Sequence, residues 1–135
     1  MPEFLSAEWI DALDDAAQAG TLPESAADAS LTVEQVVRDA PAGEVRYHLR
    51  LEHRGARIGR GPAEAPDLRL FADYDVAARL QRGEISAQQA LAAGSLKVQG
   101  RLQRLVQAGE ALQALEDLFA PIRAVTTYPE SPAER

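Results

Sequence analysis

FADYDVAARLQRGEISAQQALAAGSLKVQG, residues 71–100, carries the punctuation of two short helices followed by a strand. Asp73 stands where the first helix would be capped. Gly83 stands where it would stop in the left-handed region, which costs glycine little. Ser86 followed by Gln89 has the spacing of a capping box, and Ile85 just before it can pack on Ala90 as a hydrophobic staple. Ala90-Leu91-Ala92-Ala93 is a small-residue apolar patch that Gly94 ends. Ser95 to Gln99 then alternates as a strand does, with Leu96 and Val98 to one side and Lys97 to the other, and Gly100 closes it. A helix faced with alanine and set directly before a strand either lies close to a sheet or leaves space beside it.

Working upstream, Val45, Tyr47, Leu49 and Leu51 alternate with Arg46, His48, Arg50 and Glu52, which predicts a strand with one covered and one wet face. Leu31 to Val37 is β-branched and reads as a strand with a slip of phase near Gln35; Pro41-Ala42-Gly43 turns the chain between the two. Arg54-Gly55 turns it again into a short strand, Ala56 to Arg60. Gly61 to Pro66 is a loop, and Asp67 to Ala72 is another strand, with Leu68, Leu70 and Ala72 on one side. At the start of the chain, Ser6 precedes an amphipathic helix whose apolar face holds Leu5, Trp9, Ile10, Leu13 and Ala17 and which stops at Gly20. Asp14 and Asp15 read as its wet surface. Thr21 to Ser30, with Pro23, reads as a linker loop.

Downstream, Leu102, Leu105 and Val106 form one stripe, and Leu112, Leu115, Leu118 and Phe119 form another. At 100° per residue the second is rotated from the first by roughly a quarter turn, so a kink or two helices are expected about Gly109. Pro121 is expected to end the helix, and residues 129–135 to form a tail. Short turns make the first strands antiparallel, while the last strand follows a helical crossover that permits a parallel or mixed placement. The class is α+β, with one sheet under helices on one face and a single domain over residues 1–128.

Composition narrows the function. The apolar share of 46% suits a globular chain, and the absence of cysteine excludes disulfides and thiolate metal sites. A net charge of −7 and a pI near 4.8 argue against nucleic acid and against tight docking on anionic membranes. No apolar run approaches the ~20 residues of a membrane span, and the acidic start MPEFLSAEWID lacks the order of a signal peptide, so a cytoplasmic location is expected. No cofactor motif appears: the glycines at 55, 59 and 61 sit in strand and turn rather than before a helix. His48 and His53 would face opposite sides of a strand, the wrong geometry for a shared metal. Lys97 reads as a solvated strand lysine, and Trp9 as an anchor of helix to sheet. What remains is an apolar chain without a recognisable catalytic group, and such chains work by binding.

The run Ala90-Leu-Ala-Ala-Gly-Ser-Leu-Lys-Val-Gln-Gly100 resembles the sterol carrier protein type-two domain, the nonspecific lipid-transfer family. Asp73-Tyr-Asp-Val76, Arg82-Gly-Glu84 and Ser86-Ala-Gln-Gln-Ala90 look like it too, and the likeness runs from about Leu31 to Phe119. Phe4-Leu-Ser-Ala-Glu-Trp9 is similar to stand-alone bacterial members. The resemblance implies a five-stranded mixed sheet with helices over one face and an apolar tunnel between the layers. It implies binding of fatty acid, fatty acyl-CoA or a sterol-like lipid, without catalysis. Leu91, Ala92, Leu96 and Val98 match the positions that floor the tunnel and hold the helix beside it, and Phe71, Leu102 and Leu105 match wall positions. Arg101 departs from the pattern, which often has Asp after the glycine; a cation then stands at the start of the helix.

Two other readings stay open. In one, the same apolar surface serves a protein partner or a homodimer with no lipid at all. In the other, a small enzyme would use Tyr47, His48 and Asp73 as acid–base groups, although nothing in the sequence brings them together.

Overall fold

The computed structural model describes residues 2–20, 30–41, 43–52 and 55–128. Helix α1 (Ala7–Ala19) begins where the Ser6 side chain accepts the Trp9 amide, and it buries Trp9, Ile10, Leu13 and Ala17. Strands β1 (Leu31–Ala40), β2 (Gly43–Glu52) and β3 (Gly55–Arg60) form an antiparallel meander. After the loop 61–67 come β4 (Leu68–Asp73), α2 (Tyr74–Arg82), α3 (Ala87–Ala93) and β5 (Leu96–Gly100), then α4 (Leu102–Gln107) and α5 (Gly109–Val125). All but Ser30 of the expected linker 21–30, Arg54 of the expected Arg54-Gly55 turn and the tail at 129–135 lie outside the described residues.

The five strands stand in the order β3-β2-β1-β4-β5. The sheet is mixed, but its parallel pair is β1 with β4; β5 is antiparallel to β4. The crossover that makes the parallel pair is therefore the loop 61–67, not the helices before β5. That loop crosses the sheet on the side of Glu34, whose carboxylate accepts the Ala63 amide at 2.8 Å. The β2 face expected to be wet is thus partly covered: His48 Nδ1 is 3.0 Å from the Gly61 carbonyl oxygen.

Register sorts the side chains. One face carries the rows Val45–Val37–Ala72–Leu96, Tyr47–Gln35–Leu70–Val98 and Leu49–Val33–Leu68–Gly100. The apolar residues of these rows belong to one core with Trp9, Tyr74, Ala78, Ala90, Ala111 and Leu115 of the helices. Gln35 keeps the alternation; no slip occurs there, and the irregularity of pairing lies between Val37 and Ala40. A polar residue on an apolar face looks in sequence like a change of phase.

The opening stretch folds as its punctuation requires. Gly83 and Gly94 both end helices with φ of 77°, and Ser86 with Gln89 forms a capping box with both bonds made. Asp73 occupies the cap position of α2, but its side chain makes no cap bond. The last third is two helices that part at Ala108, one residue before Gly109. Pro121 does not end the second. Helix α5 continues to Val125, with Ile122 packed on the core and its carbonyl accepting the Thr126 hydroxyl at 2.6 Å. Packing beyond the proline outweighs the lost backbone bond.

Asp14 is not merely helix surface. It accepts the backbone N–H of Ile58 at 2.8 Å on the outer edge of β3 and pairs with Arg57 at 3.0 Å. It thereby blunts an exposed sheet edge. Burial opposes its charge, but the Arg57 hydrogen bond, the Ile58 amide and the guanidinium charge outweigh that and hold its pKa below the usual carboxylate range. A carboxyl whose pKa is depressed on folding contributes fully above its unfolded pKa, and the contribution fades as pH falls through the folded value. Asp14→Ala should therefore cost about 1 kcal/mol or less at pH 7, discounted because Arg57 is largely exposed. Urea unfolding at pH 7 and pH 3 checks this: the gap between variant and wild type should narrow in acid.

Candidate functional site

Helices cover only the apolar face of the sheet, and several apolar side chains of that face keep accessible surface. Val45, Tyr47, Leu49, Ala72 and Val98 are half-buried there, while their row neighbours Val33 and Val37 are buried. The opposing layer shows the same state: Leu80 of α2 and Leu112, Leu118, Phe119 and Ile122 of α5 are half-buried apolar residues packed at the edge of the core. Helix α5 rests mainly on α1 rather than on the sheet.

Tyr47 is the most informative residue of this face. Its ring meets Trp9 edge-on, with centroids 5.5 Å apart. Burial, and then the Glu116 carboxylate, push its phenol well above the ordinary tyrosine range. Its side chain nevertheless keeps open surface. Gln35, its partner in the row, is half-buried with no hydrogen bond to the side-chain amide among the described residues.

The residues expected from sequence divide. Leu96 is buried and Val98 half-buried on the helix-covered face, and Leu91 of α3 is half-buried against the core. These three come together. Ala92 is exposed on α3, as is Ala93. Phe71 lies on the other face, between Val36 and Lys97 in register, with the Arg38 guanidinium 5.5 Å from its ring centroid. Leu102 is 44% exposed on α4, beside Val106 at 73%. The side chain of Leu105 lies outside the described residues. Arg101 takes the cap position of α4 without a side-chain cap bond, consistent with the missing acid at that helix start. The sequence reading missed Gln35, Val45, Leu49 and the α5 residues; the polar Gln35 within an apolar alternation was the one available signal.

The acid–base trio does not assemble. Tyr47 lies under the helices, His48 on the opposite face and Asp73 at the head of α2. Among the described residues no cluster of His, Asp or Glu could hold a metal ion, and no helix is long and apolar enough to cross a membrane. A separate depression of about 360 Å³ lies where α1 ends beside β2 and β3. Gln18, Arg50, Glu52 and Arg57 line it together with Ala17 and Ala56, so its wall is mixed, and none of the expected residues borders it.

Comparison with known proteins agrees with this architecture. No curated protein sequence matches the chain. A crystal structure of sterol carrier protein 2 superposes with a TM-score of 0.67 at 24% identity, covering 86% of this chain and 96% of the other. The solution structure of a conserved Thermus thermophilus protein, suggested to be a sterol carrier protein, also gives 0.67 at 24% identity, with 97% and 95% covered. The apo form of sterol carrier protein 2 from Yarrowia lipolytica gives 0.61 at 20% identity, covering 87% and 94%. At such identities the likeness is one of fold. The model of the SCP-2 sterol transfer family, however, matches residues 10–113 of the sequence itself. With that match spanning most of its length, the chain belongs to the SCP-2 sterol transfer family.

Proposed function

We propose that the protein binds a long-chain hydrophobic ligand, a fatty acid, fatty acyl-CoA or sterol-like lipid, in an apolar tunnel between sheet and helices, and carries or transfers it without chemistry. The observation that carries this reading is the half-buried apolar surface of Val45, Tyr47, Leu49 and Val98 beneath a helical layer. Apolar side chains that lie beneath a cover and still keep accessible surface favour a site for a hydrocarbon chain. Each methylene buried there contributes ~0.8 kcal/mol, so about twelve contribute on the order of 10 kcal/mol before ordering costs. Micromolar binding follows. Leu91, Leu96 and Val98 would line the tunnel with Tyr47 and Leu49. The scattering of Tyr47, His48 and Asp73 supports binding over catalysis.

The exposed Leu102 and Val106 on α4 favour a second reading, in which this helix meets a protein partner or a second copy of the chain. Native mass spectrometry separates the two. A copurified lipid adds its own mass to the 14.6 kDa chain, whereas a homodimer doubles it. The expected result is a lipid increment that organic extraction removes. A protein that carries no lipid and takes up none when incubated with fatty acid would overturn the first reading.

A further inference from the structure

Two large apolar side chains stand well exposed on one short helix: Leu102 at 44% and Val106 at 73%. Four residues apart on α4, they share one side of it. One exposed leucine is ordinary, but here neither side chain belongs to the core or packs on it. Helix α4 touches α5 more than any other element. Its inward side is held by Arg104, whose Nη2 donates to the Ser30 carbonyl at 2.6 Å and whose guanidinium lies 3.9 Å from the Asp67 carboxylate.

Charge is distributed unevenly about this helix. The chain carries 21 acidic residues against 14 basic ones, yet no Asp or Glu occurs between Glu84 and Glu110. That stretch contains α3, β5 and α4, and its only charged residues are Lys97, Arg101 and Arg104. Lys97 is exposed on the side of β5 opposite Leu96 and Val98. Arg101 is exposed where β5 passes into α4. Neither forms an ion pair among the described residues. The acids are elsewhere: Glu8, Asp11, Asp14 and Asp15 on α1, Glu116 and Asp117 on α5. The net charge of −7, which argues against anionic surfaces for the chain as a whole, is thus a sum over regions of opposite sign.

These neighbours decide what covers Leu102 and Val106. A second copy in two-fold contact sets the cations against their own duplicates, which disfavours it. A bilayer interface needs no preformed groove: it takes up projecting apolar side chains, while cations at its surface meet lipid phosphates. We propose that the β5–α4 corner docks the protein on a bilayer containing anionic phospholipid. Leu102 and Val106 enter the boundary between headgroups and acyl chains, and Lys97 and Arg101 meet the phosphates. This goes beyond the lipid-binding reading and does not depend on it. The two readings join in the chain itself, because α4 passes through Ala108 directly into α5 of the helical layer.

Flotation with vesicles of phosphatidylcholine alone, and of phosphatidylcholine mixed with phosphatidylglycerol, tests this. The wild type should bind the anionic vesicles about twentyfold more tightly, about fivefold for each unpaired cation, and added salt should remove most of that difference. Lys97→Gln combined with Arg101→Gln should lose most of the preference. Val106→Ser should weaken binding to the anionic vesicles by about tenfold. All three positions are exposed, so melting temperatures should hold. The chain has no cysteine, so a single one can be introduced and labelled. An environment-sensitive dye on Val106→Cys should shift to the blue on anionic vesicles. The same dye on Glu8→Cys, at an exposed position of α1, should not. Equal binding to both vesicles, wild-type binding by both variants, or a shift at position 8 in place of position 106 overturns the proposal. So does a doubled native mass that Val106→Ser halves, since the corner then belongs to a second copy. Uptake of a fluorescent fatty acid without vesicles should be the same in every variant, so docking and cargo binding stand or fall separately.

Discussion

Val98→Trp should reduce uptake of a fluorescent fatty acid by about tenfold or more while the protein remains folded. Val98 is half-buried on the helix-covered face and shares a row with Leu70, Gln35 and Tyr47. An indole at that point would occupy the room a hydrocarbon tail needs. The same substitution in a filled core forces strain of about 1–3 kcal/mol. The two cases give opposite signatures: a tunnel loses ligand and keeps its melting temperature, whereas a packed interior loses stability. Unchanged uptake in a protein of lowered melting temperature would sink the tunnel. Ala92→Phe is the control, because Ala92 is exposed on α3 and its enlargement should leave uptake as it was.

Glu34→Ala should cost about 2–3 kcal/mol in urea unfolding. Among the described residues Glu34 is the one charged residue that is buried, at 0% exposure on the face away from the helices. Its carboxylate accepts from Arg69 Nε at 3.0 Å, from Arg46 Nη1 at 3.3 Å and from the Ala63 amide at 2.8 Å. Removing it strands the Arg69 guanidinium and a backbone N–H, while Arg46 keeps Glu44 at 3.1 Å. The arginine side chains are each 40% exposed and recover part of their hydration, which keeps the loss below that of a fully buried pair. The third bond ties the crossover loop to β1, so amide exchange at Ala63 should accelerate in the variant. Lipid uptake should not change, since the loop and the helices lie on opposite faces. Wild-type stability in Glu34→Ala would mean that the loop is held by other contacts.

Local chemistry was legible, and for a local reason. The Ser86–Gln89 capping box, the stops at Gly83 and Gly94 and the apolar stripe of α1 each depend on residues a few positions apart. The alternation of β2 and the division between Leu96, Val98 and Lys97 follow from the period of a strand, which needs no partner to be read. What failed depends on elements far apart in the chain. Phe71 alternates with Leu70, so its face was set once β4 was a strand; the side that the helices would cover was not. Ala92 lies in a patch apolar on every side, and only the docking of α3 on β5 exposes it. Pro121 obeys its local rule in isolation, but Ile122 packs on the core and carries the helix past it.

From the order of residues alone came the elements, most of their ends, the class of fold and the family likeness, because propensity, capping and periodicity act over single turns and strand pairs. Tertiary structure decided that β4 lies parallel to β1, that a loop rather than a helix makes the crossover, and that Glu34 is sealed beneath it. It also decided which apolar side chains are buried and which keep accessible surface. Burial belongs to the arrangement of layers, and no run of neighbouring residues specifies how closely two layers approach.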